Sequence, residues 1–471
     1  VNAHVSQSKS SLRSSYINHN DAVSSHVDVH KQLKSFRTLS EVPAETIQEL
    51  KERGLRILET PYGLAAVGKE ILDDPAKLKL LLAGLAECGP CFNGDLRDGI
   101  KGYKRELELK AGAVGRKILF KQRSHDLAAE VLQAQIDAGV LRRWYGKIFA
   151  TNRWHLVRKR DFPATDARGW RLVVDIQVND HISTSSQALP SPESMAKSQC
   201  RYSRHWKADA ATAYSQCKWL DSTSEAYTAL LTSLGALTHT GMPQGMRGSQ
   251  EFLIRVFAEI FGDSPDPVAT YVDNFSGGGA DSGLCLRSFL AFLRRCLKFN
   301  IKLNISDMEI GATAVEQLGY RISHGEYGPG TRLTRAISSM PAPKDKKEAK
   351  SFLASCNVLR SHIDNFNGLI AEISSLVPKT APWNWTDVTQ HAFEKLKAAL
   401  ISPAILVPFD RTLPTRILTD FNGFCTVDGV VTRRPAVGAS VWQLHGSVWR
   451  PIGYASRFLS TAEENMVRRE S

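Results

Sequence analysis

The sequence has no apolar run that approaches the roughly 20 residues of a membrane-spanning helix, and its longest, around Leu78 to Ala86, is much shorter. Its eight cysteines are scattered along the whole length without the spacing of a disulfide framework. The chain begins at Val1 and shows no succession of basic, apolar and small residues typical of a signal peptide. We therefore expect an intracellular protein of the cytoplasm or nucleus, and a chain that is part of a longer one.

The chain has fewer acidic residues, 48, than basic ones, 60. Over 471 residues the formal net charge is +12 and the isoelectric point is about 9.3, a balance that attracts polyanions such as nucleic acid. The hydrophobic content of 42% is that of a globular protein. The length suggests roughly three domains of ordinary size.

Two of the cysteines, Cys88 and Cys91, form a Cys-x-x-Cys motif. Such a motif is a redox site when it opens a helix after a strand, and it is half of a zinc site when a second pair follows at ligand spacing. The flanking residues indicate a helix end that runs into a loop instead, and no second pair follows nearby. Two inert cysteines at a turn are the favoured interpretation, with a thiol-disulfide enzyme as the alternative.

Two short runs place an aspartate at a predicted strand end. The first is KADAATAY, from Lys207 to Tyr214, and the second is YVDN, from Tyr271 to Asn274, followed by Phe275 and a glycine triplet. Magnesium prefers oxygen ligands, and a two-metal phosphoryl-transfer site holds its ions with carboxylates from separate strands. Asp209 and Asp273 are therefore candidate metal ligands.

Two more motifs complete an ordered set. MPQGMRGS begins at Met242, between the two acidic runs, and QLGY begins at Gln317. The four blocks in this order resemble the palm of reverse transcriptases, most closely those of gypsy-type long-terminal-repeat retrotransposons and their retroviral relatives. The resemblance extends from about residue 110 to the C-terminus.

The resemblance implies a role for each matching residue. Asp209, Asp273 and Asn274 occupy the catalytic positions, and the metal ligands are Asp209, Asp273 and the backbone carbonyl of Ala210. The other implied roles are nucleotide binding by Lys159, Arg171, Tyr214 and Gln244, and a primer grip formed by Leu318, Gly319 and Tyr320. Tyr214 matches the aromatic residue that excludes a ribose 2′-hydroxyl.

Three positions depart from the family pattern. Asn274 stands where the family has a second aspartate, and it retains an oxygen but lacks the negative charge. Asp307 stands where a lysine is expected to protonate pyrophosphate, and Lys302 is the nearest basic candidate in sequence. The motif after Asp175 is shortened to Ile176–Asn179 and lacks an arginine. These departures suggest a divergent or decayed copy.

The remaining patterns predict the architecture. A helix is expected from Ser124 to Val140, ended by Gly139, followed by a β-hairpin made of Trp154–Val157 and Trp170–Asp175. Helical spacing recurs after Asp273, after Pro343 and after Thr386, which is a candidate helix cap. Three strands near residues 416–420, 437–443 and 450–457 resemble the start of a ribonuclease H domain, with Asp420 as its first metal-binding aspartate.

Together these observations predict an α+β right-hand polymerase followed by a truncated ribonuclease H-like α/β domain. The predicted divisions are a flexible lead-in (1–40), an N-terminal helical extension (41–109), fingers and palm (110–325), thumb and connection (326–410) and a partial ribonuclease H-like domain (411–471).

The implied function is RNA-directed DNA polymerisation with two Mg²⁺ or Mn²⁺ ions. The partners are a primed RNA or DNA template and deoxynucleoside triphosphates, without a membrane. The alternative is a nucleic-acid-binding relic whose polymerase site is impaired.

Overall fold

The computed structural model divides the chain into two compact units, one reaching Tyr327 and the other starting at Gly328. The described residues are 33, 36, 38–113, 115, 127–159, 162, 163, 165–183, 190–401, 403–422, 425–427, 430–433 and 435–470. Most of the expected flexible lead-in, residues 1–40, lies outside them. No described helix combines the length and apolar character needed to cross a membrane.

The first unit contains helices and strands in a mixed order. Its helices are α1 (Ala44–Glu52), α2 (Lys69–Leu72), α3 (Pro75–Glu87), α4 (Ala128–Asp137), α5 (Pro192–Gln199), α6 (Ala213–Gln216), α7 (Ser222–Ala226), α8 (Ser249–Phe261) and α9 (Ser282–Phe299). Its strands are β1 (Leu55–Thr60), β2 (Gly63–Gly68), β3 (Lys104–Arg105), β4 (Leu141–Arg143), β5 (Arg153–Arg158), β6 (Trp170–Asp175), β7 (Arg204–Asp209), β8 (Lys218–Trp219), β9 (Leu230–Thr232), β10 (Gly235–His239), β11 (Ala269–Tyr271), β12 (Asn274–Gly279), β13 (Glu309–Ala312), β14 (Ala314–Gln317), β15 (Tyr320–Ser323) and β16 (Glu326–Pro329).

A central sheet organises this unit, with the strand order β1-β2-β13-β7-β12-β11. Its neighbours pair antiparallel except β2 and β13, which run parallel. β7 and β12 thus lie in the interior of the sheet. β7 ends at Asp209, and β12 begins at Asn274, the residue after Asp273.

The core lies against one face of β7 and β12. Trp206 and Phe275 are fully buried there, and the Trp206 ring stacks on Phe292 of α9 at 4.7 Å between centroids. Gly277 lies directly opposite Trp206 in the ladder, and a Cβ at this position would overlap the indole ring. The glycine triplet after Phe275 is therefore explained in part by packing, because only glycine admits such close approach.

The N-terminal extension differs from the prediction. Residues 41–109 contain α1 and α3, but they also contain the β1–β2 hairpin, which joins the central sheet next to β13. The segment is therefore a structural part of the sheet and not a helical extension. A short apolar run such as Leu64–Val67 has no period of its own, so its pairing with β13 decides its conformation.

Other predicted elements of this unit are confirmed. α4 falls within the predicted helix, and Gly139 follows it with a φ of +76°, a left-handed conformation that suits glycine after a helix end. β5 and β6 pair antiparallel over their whole length, as the hairpin prediction required. α9 lies where the apolar spacing after Asp273 indicated a helix, with Asp281 capping its first turn through the Leu284 N–H at 2.7 Å.

The second unit contains the helices α10 (Thr331–Ser338), α11 (Lys346–Asn357), α12 (Phe366–Ser375), α13 (Asp387–Ile401) and α14 (Thr461–Glu470). Its strands are β17 (Thr415–Asn422), β18 (Cys425–Val427), β19 (Val430–Arg433), β20 (Ala436–His445) and β21 (Val448–Phe458). A buried cluster that includes Phe352 and Phe393 joins the helices. The strands predicted to open a ribonuclease H-like domain form the sheet β17-β20-β21, and the Thr386 hydroxyl accepts from the Thr389 N–H at 3.3 Å as a cap.

The Cys-x-x-Cys motif lies at the end of α3, where Cys88 follows the helix and Cys91 lies in a 3₁₀ turn. Both are buried free thiols. Burial raises the pKa of Cys88 to about 11 and that of Cys91 to about 12. A redox-active thiol needs a lowered pKa, and within the described residues no group of three or more His, Cys, Asp and Glu side chains could hold a metal ion. The structure therefore favours two inert cysteines.

We predict that truncating the Phe275 ring will destabilise the first unit. Phe275 is fully buried, with ring centroids 4.9 Å from Phe257 and 5.1 Å from Phe292. Phe275→Ala should lower the free energy of unfolding by about 3–5 kcal/mol, as urea denaturation would measure, because it leaves a cavity in the core. Tyr145→Ala, at a ring that is 90% exposed, is the control and should change the free energy by less than about 0.5 kcal/mol. Equal effects of the two changes would contradict this account of the core.

We also predict slow alkylation of the cysteine pair in the native protein. With pKa values of about 11 and 12, Cys88 and Cys91 hold almost no thiolate at pH 8 and are shielded from reagent. Mass spectrometry after iodoacetamide treatment should show both thiols labelled rapidly only in urea-unfolded protein. Fast labelling of Cys88 at pH 7 in the folded protein would instead support a reactive thiol.

Candidate functional site

The two predicted aspartates lie at the same end of neighbouring strands. Asp209 ends β7, and its ladder partner is Asn274, the first residue of β12. Asp273 precedes Asn274 in the tight turn that joins β11 to β12, and its carbonyl accepts from the Ala210 N–H at 2.8 Å. The strand register therefore brings Asp209, Ala210, Asp273 and Asn274 together.

The turn that carries Asp273 has an unusual backbone. Val272 has a φ of +54°, and a β-branched residue rarely adopts this left-handed conformation. Such conformations cost of order 1–3 kcal/mol and concentrate at functional sites, where the surrounding structure holds them. Here the antiparallel pairing on both sides of the turn holds Val272, so Asp273 follows it in a defined position.

Asp273 has an electrostatic environment that opposes its negative charge. Burial raises the pKa of the Asp273 carboxyl above its usual value, and the charge of Asp307 raises it further. Arg171 acts in the opposite direction, as does the Asn274 side-chain amide, which donates to Asp273 Oδ1 at 3.1 Å. A cation bound here would offset the cost of the buried charge.

Asp307 belongs to a short 3₁₀ turn that lies beside the end of β7. The Asn304 backbone N–H donates to the Asp209 carbonyl at 3.1 Å, and the Asn304 side chain donates to the Asp307 carboxylate. Lys302 directs its ammonium group to the Pro90 carbonyl at 2.8 Å. The position near Asp273 where the family has a lysine therefore carries an acid, and the ammonium of Lys302 is engaged with Pro90.

The donor set fits a hard divalent cation. Asp209 and Asp273 supply carboxylate oxygens, and Ala210 supplies a backbone carbonyl. Across the described residues, no group of three or more His, Cys, Asp and Glu side chains converges as a metal cage. Mg²⁺ is usually held by one or two carboxylates together with substrate phosphates and water, so this donor set suits Mg²⁺ better than a structural metal.

Tyr214 lies within electrostatic range of Asp273. It belongs to α6, which starts immediately after Thr212, a residue with a left-handed φ of +49°. Burial raises the pKa of the Tyr214 phenol to about 12, and the charge of Asp273 contributes to the same shift. The sharp turn after β7 thus returns this aromatic ring to the vicinity of Asp273.

The predicted nucleotide-binding cations lie on the β5–β6 hairpin. Arg171 faces Val157 across the hairpin, and its charge lowers the pKa of Asp273. Lys159 follows β5, and its ammonium donates to the Arg168 carbonyl at 3.0 Å. Arg171 is therefore within electrostatic range of the aspartates, whereas the Lys159 ammonium contacts its own hairpin.

Gln244 lies on an exposed turn that the Asn179 side chain stabilises through hydrogen bonds. Gly245 has a φ of +87°, and its carbonyl accepts from the Asn179 side chain at 2.9 Å. Asn179 also accepts from the Arg247 N–H at 2.9 Å. Asn179 is a positioning residue that the motif comparison missed, although it lies within the shortened Ile176–Asn179 motif.

The predicted primer grip is a tight hairpin. β14 and β15 pair with Gln317 opposite Tyr320, so Leu318 and Gly319 form a two-residue turn with φ values of +52° and +84°. Positive φ at both positions is the type I′ pattern, which favours Asn-Gly and makes Leu318 costly. The Gln317 side chain donates to the Phe275 carbonyl at 3.3 Å, which links the hairpin to β12.

Asp420 lies in the second unit. It is an exposed residue of β17, opposite Gly438 of β20. The Asn365 side chain donates to its carboxylate at 3.4 Å, and a cavity of about 600 Å³ borders it. An exposed carboxylate beside a cavity is compatible with the predicted metal-binding role.

Comparison with protein families supports the assignment of the C-terminal region. A family described as an RNase H-like domain found in reverse transcriptase matches residues 385–471. This range starts before the boundary that the strand pattern placed at residue 411. It includes α13, the β17-β20-β21 sheet and Asp420.

Comparison with curated proteins gives related polyproteins. The chain is 28% identical over 312 residues to the retrovirus-related Pol polyprotein from transposon 412 of Drosophila melanogaster. The aligned region covers 66% of this chain and 24% of that protein. It is 25% identical over 301 residues to the transposon Tf2-7 polyprotein of Schizosaccharomyces pombe. Here the aligned region covers 63% of this chain and 22% of that protein. The chain thus spans about a quarter of the length of these curated relatives.

Solved structures give the same fold. A foamy viral protease-reverse transcriptase in complex with double-stranded DNA matches with a TM-score of 0.69 and 17% identity, over 84% of this chain and 68% of that one. A complex of the foamy viral enzyme with an RNA/DNA hybrid matches with a TM-score of 0.66 and 18% identity. This match covers 85% of this chain and 54% of that one. The predicted fold class is confirmed. The chain is similar to these retrotransposon Pol polyproteins, it has a reverse transcriptase fold, and its residues 385–471 match an RNase H-like family.

Proposed function

We propose that the chain is an RNA-directed DNA polymerase that extends a primer on a nucleic-acid template inside the cell. The observation that carries this proposal is the register of β7 and β12, which places Asp209 opposite Asn274 and beside Asp273. The net charge of +12 supports a polyanionic partner. Structural relatives solved with double-stranded DNA and with an RNA/DNA hybrid point to the same class of partner.

The residues around the aspartates have distinct parts in this proposal. Asp209, Asp273 and the Ala210 carbonyl would hold two Mg²⁺ ions, which when bound lower the pKa of the primer 3′-hydroxyl and neutralise the triphosphate. Arg171 and Lys159 supply positive charge for the triphosphate. Tyr214 borders the sugar of the incoming deoxynucleotide, and Gln244 contacts the nucleotide from its braced turn. Leu318, Gly319 and Tyr320 hold the primer end.

Asn274 sets an expectation for the rate. Its amide donates a hydrogen bond to Asp273, whereas an aspartate in its place would add a third carboxylate to those of Asp209 and Asp273. The proposed polymerase should therefore bind metal more weakly than an enzyme with paired aspartates.

The second candidate is a nucleic-acid-binding relic, which Asn274 and the acidic Asp307 favour. Asp307 stands where a lysine is expected, and its charge raises the pKa of Asp273. Its side chain does not supply the ammonium group that the resemblance assigns to this position. A relic should bind primed templates but incorporate no nucleotide.

Primer extension on an RNA template, with deoxynucleotides and either Mg²⁺ or Mn²⁺, separates the two candidates. Asp209→Asn should reduce extension at least about a hundredfold, the order expected when a preorganised charge at the reacting centre is removed. Asn274→Asp should increase extension in Mg²⁺ because it restores a carboxylate. Asp137→Asn, at an exposed helix position, is the matched control and should leave the rate unchanged.

The outcomes of this assay are distinct. Extension that depends on Asp209 establishes the polymerase. If neither the parent nor Asn274→Asp extends a primer, while both bind the primed template, the relic is the better account. If Asp209→Asn extends as well as the parent, the assigned site is wrong.

Tyr214 gives an independent test of sugar selection. Tyr214→Ala should reduce the preference for deoxynucleotides over ribonucleotides, measured as the ratio of kcat/KM values, by about tenfold or more, because space opens for the 2′-hydroxyl. Tyr214→Phe keeps the ring and should retain the preference. An unchanged ratio in the alanine variant would show that Tyr214 does not border the sugar.

A further inference from the structure

A network of charged side chains lies within the first unit, between the central sheet and the β14–β15 hairpin. Its members are Arg53, from the loop after α1, Glu309 of β13 and Lys207 of β7. Arg53 and Glu309 are 7% and 8% exposed, and the Lys207 side chain is 20% exposed. Burial of charged groups is costly unless each charge is paired and hydrogen-bonded. All three side chains have such partners.

Arg53 holds the start of the hairpin. Its guanidinium forms an ion pair with Glu309, and its Nε donates to the Ala314 carbonyl at 3.2 Å. The Arg53 carbonyl accepts from the Thr313 N–H at 3.3 Å and from the Thr313 hydroxyl at 3.0 Å. A single residue of the N-terminal segment thus binds the chain on both sides of the step from β13 to β14.

Lys207 connects the same network to the strand of Asp209. Its ammonium lies 3.0 Å from Glu309 Oε1 and donates to the Glu316 carbonyl at 2.9 Å. Glu316 is two residues before Leu318, the first residue of the predicted primer-grip turn. Lys207 is two residues before Asp209 on β7, and side chains at this spacing lie on the same face of a strand. One ammonium group therefore links the strand of the first aspartate to the strand that leads into the turn.

Buried ion pairs do not by themselves indicate a gain in stability. A buried ion pair often contributes no more to stability than an apolar substitute of similar volume, whereas it does impose a defined geometry. Here the Lys207 ammonium fixes β7 relative to β14 through its hydrogen bond to the Glu316 carbonyl. The hydrogen bond from the Gln317 side chain to the Phe275 carbonyl connects β12 to the same hairpin. Both strands that carry the catalytic positions are thus connected to the hairpin by polar contacts.

We propose that Lys207 and Arg53, joined through Glu309, are positioning residues that set the β14–β15 hairpin, and with it the primer 3′ end, relative to Asp209 and Asp273. This inference rests on the proposed function. It assigns the N-terminal segment, which precedes the recognisable polymerase motifs, a part in aligning the primer through the β14–β15 hairpin. Neither residue touches the reacting atoms.

The decisive variant is Lys207→Met, which removes the ammonium but keeps the length of the side chain. Glu309 retains Arg53 as its partner in this variant, so the fold is expected to persist. Lys77→Met is the matched control, because Lys77 forms a surface ion pair with Asp74 at 3.1 Å on α3. Lys207→Arg restores a positive donor, and Arg53→Lys retains the charge but cannot reproduce the forked contacts of the guanidinium.

Two measurements on the full chain test the proposal. Fluorescence anisotropy gives the affinity for a primed RNA template, and a 2-aminopurine at the primer 3′ terminus reports whether the terminal base is held in the same environment. Lys207→Met should bind within about twofold of the parent, because phosphate contacts spread over the duplex dominate affinity. Its 2-aminopurine signal should shift towards that of the unbound primer, and Lys207→Arg should recover it.

In steady-state extension, Lys207→Met should lower kcat by about tenfold to a hundredfold with little change in the KM for the nucleotide, because misplacement of about 1 Å can cost a hundredfold in rate. Arg53→Lys should act in the same direction. Lys77→Met should match the parent in every measurement.

The remaining outcomes separate the inference from the proposed function. If the parent binds and holds the primer end but does not extend it, the polymerase proposal fails, and the 2-aminopurine signal of Lys207→Met still decides the inference. If Lys207→Met holds the primer end as the parent does, the inference is overturned while the polymerase stands. A melting temperature lowered equally in Lys207→Met and Arg53→Lys, with the primer signal unchanged in the folded fraction, would reduce the network to a structural role. Failure of the parent to bind any primed template would contradict both proposals.

Discussion

The pairing of β7 with β12 is the constraint on which the rest of the first unit depends. The same ladder puts Asp209 opposite Asn274 and Trp206 opposite Gly277, so the site and the core share one register. A slip by one residue would move every side chain of a strand to the other face, which would bury Asp209 and expose Trp206. The aromatic packing of Trp206 and Phe275 against α8 and α9 therefore maintains the position of the aspartates.

The charges around the aspartates depart from the pattern that the family resemblance implies. Burial opposes ionisation of Asp273, and Asp307 adds to that effect. Asn274 contributes a donated hydrogen bond in place of a carboxylate, so the pair of strands presents fewer negative charges while the neighbouring turn presents one more.

The segment before residue 110 is part of the central sheet that carries Asp209. β1 and β2 extend the central sheet beyond β13, and Arg53 contacts both Glu309 and the backbone of the β14–β15 hairpin. Because the segment pairs with the sheet and also binds the hairpin, its removal would expose one edge of the sheet and release a contact near the predicted primer grip. The polar links from Lys207 and Gln317 act together with it, since all three reach the same hairpin.

Features that depend on local pattern could be predicted from the amino-acid sequence. Apolar spacing predicted α4, α9, α11 and α13, the alternation around the charged loop predicted the β5–β6 hairpin, and short motifs identified Asp209, Asp273 and the Leu318–Gly319 turn. These features are readable because helix period, turn chemistry and motif order are carried by adjacent residues. Only the tertiary structure decided that residues 55–68 form strands of the central sheet, because a short apolar run takes its conformation from its partner. It also decided that Asn179 braces the Gln244 turn, that the Lys302 ammonium contacts Pro90, and that Arg53, Glu309 and Lys207 meet. Each of these contacts joins residues far apart in the chain, and the free energy that places them comes from pairing and burial in the folded state, which local sequence does not encode.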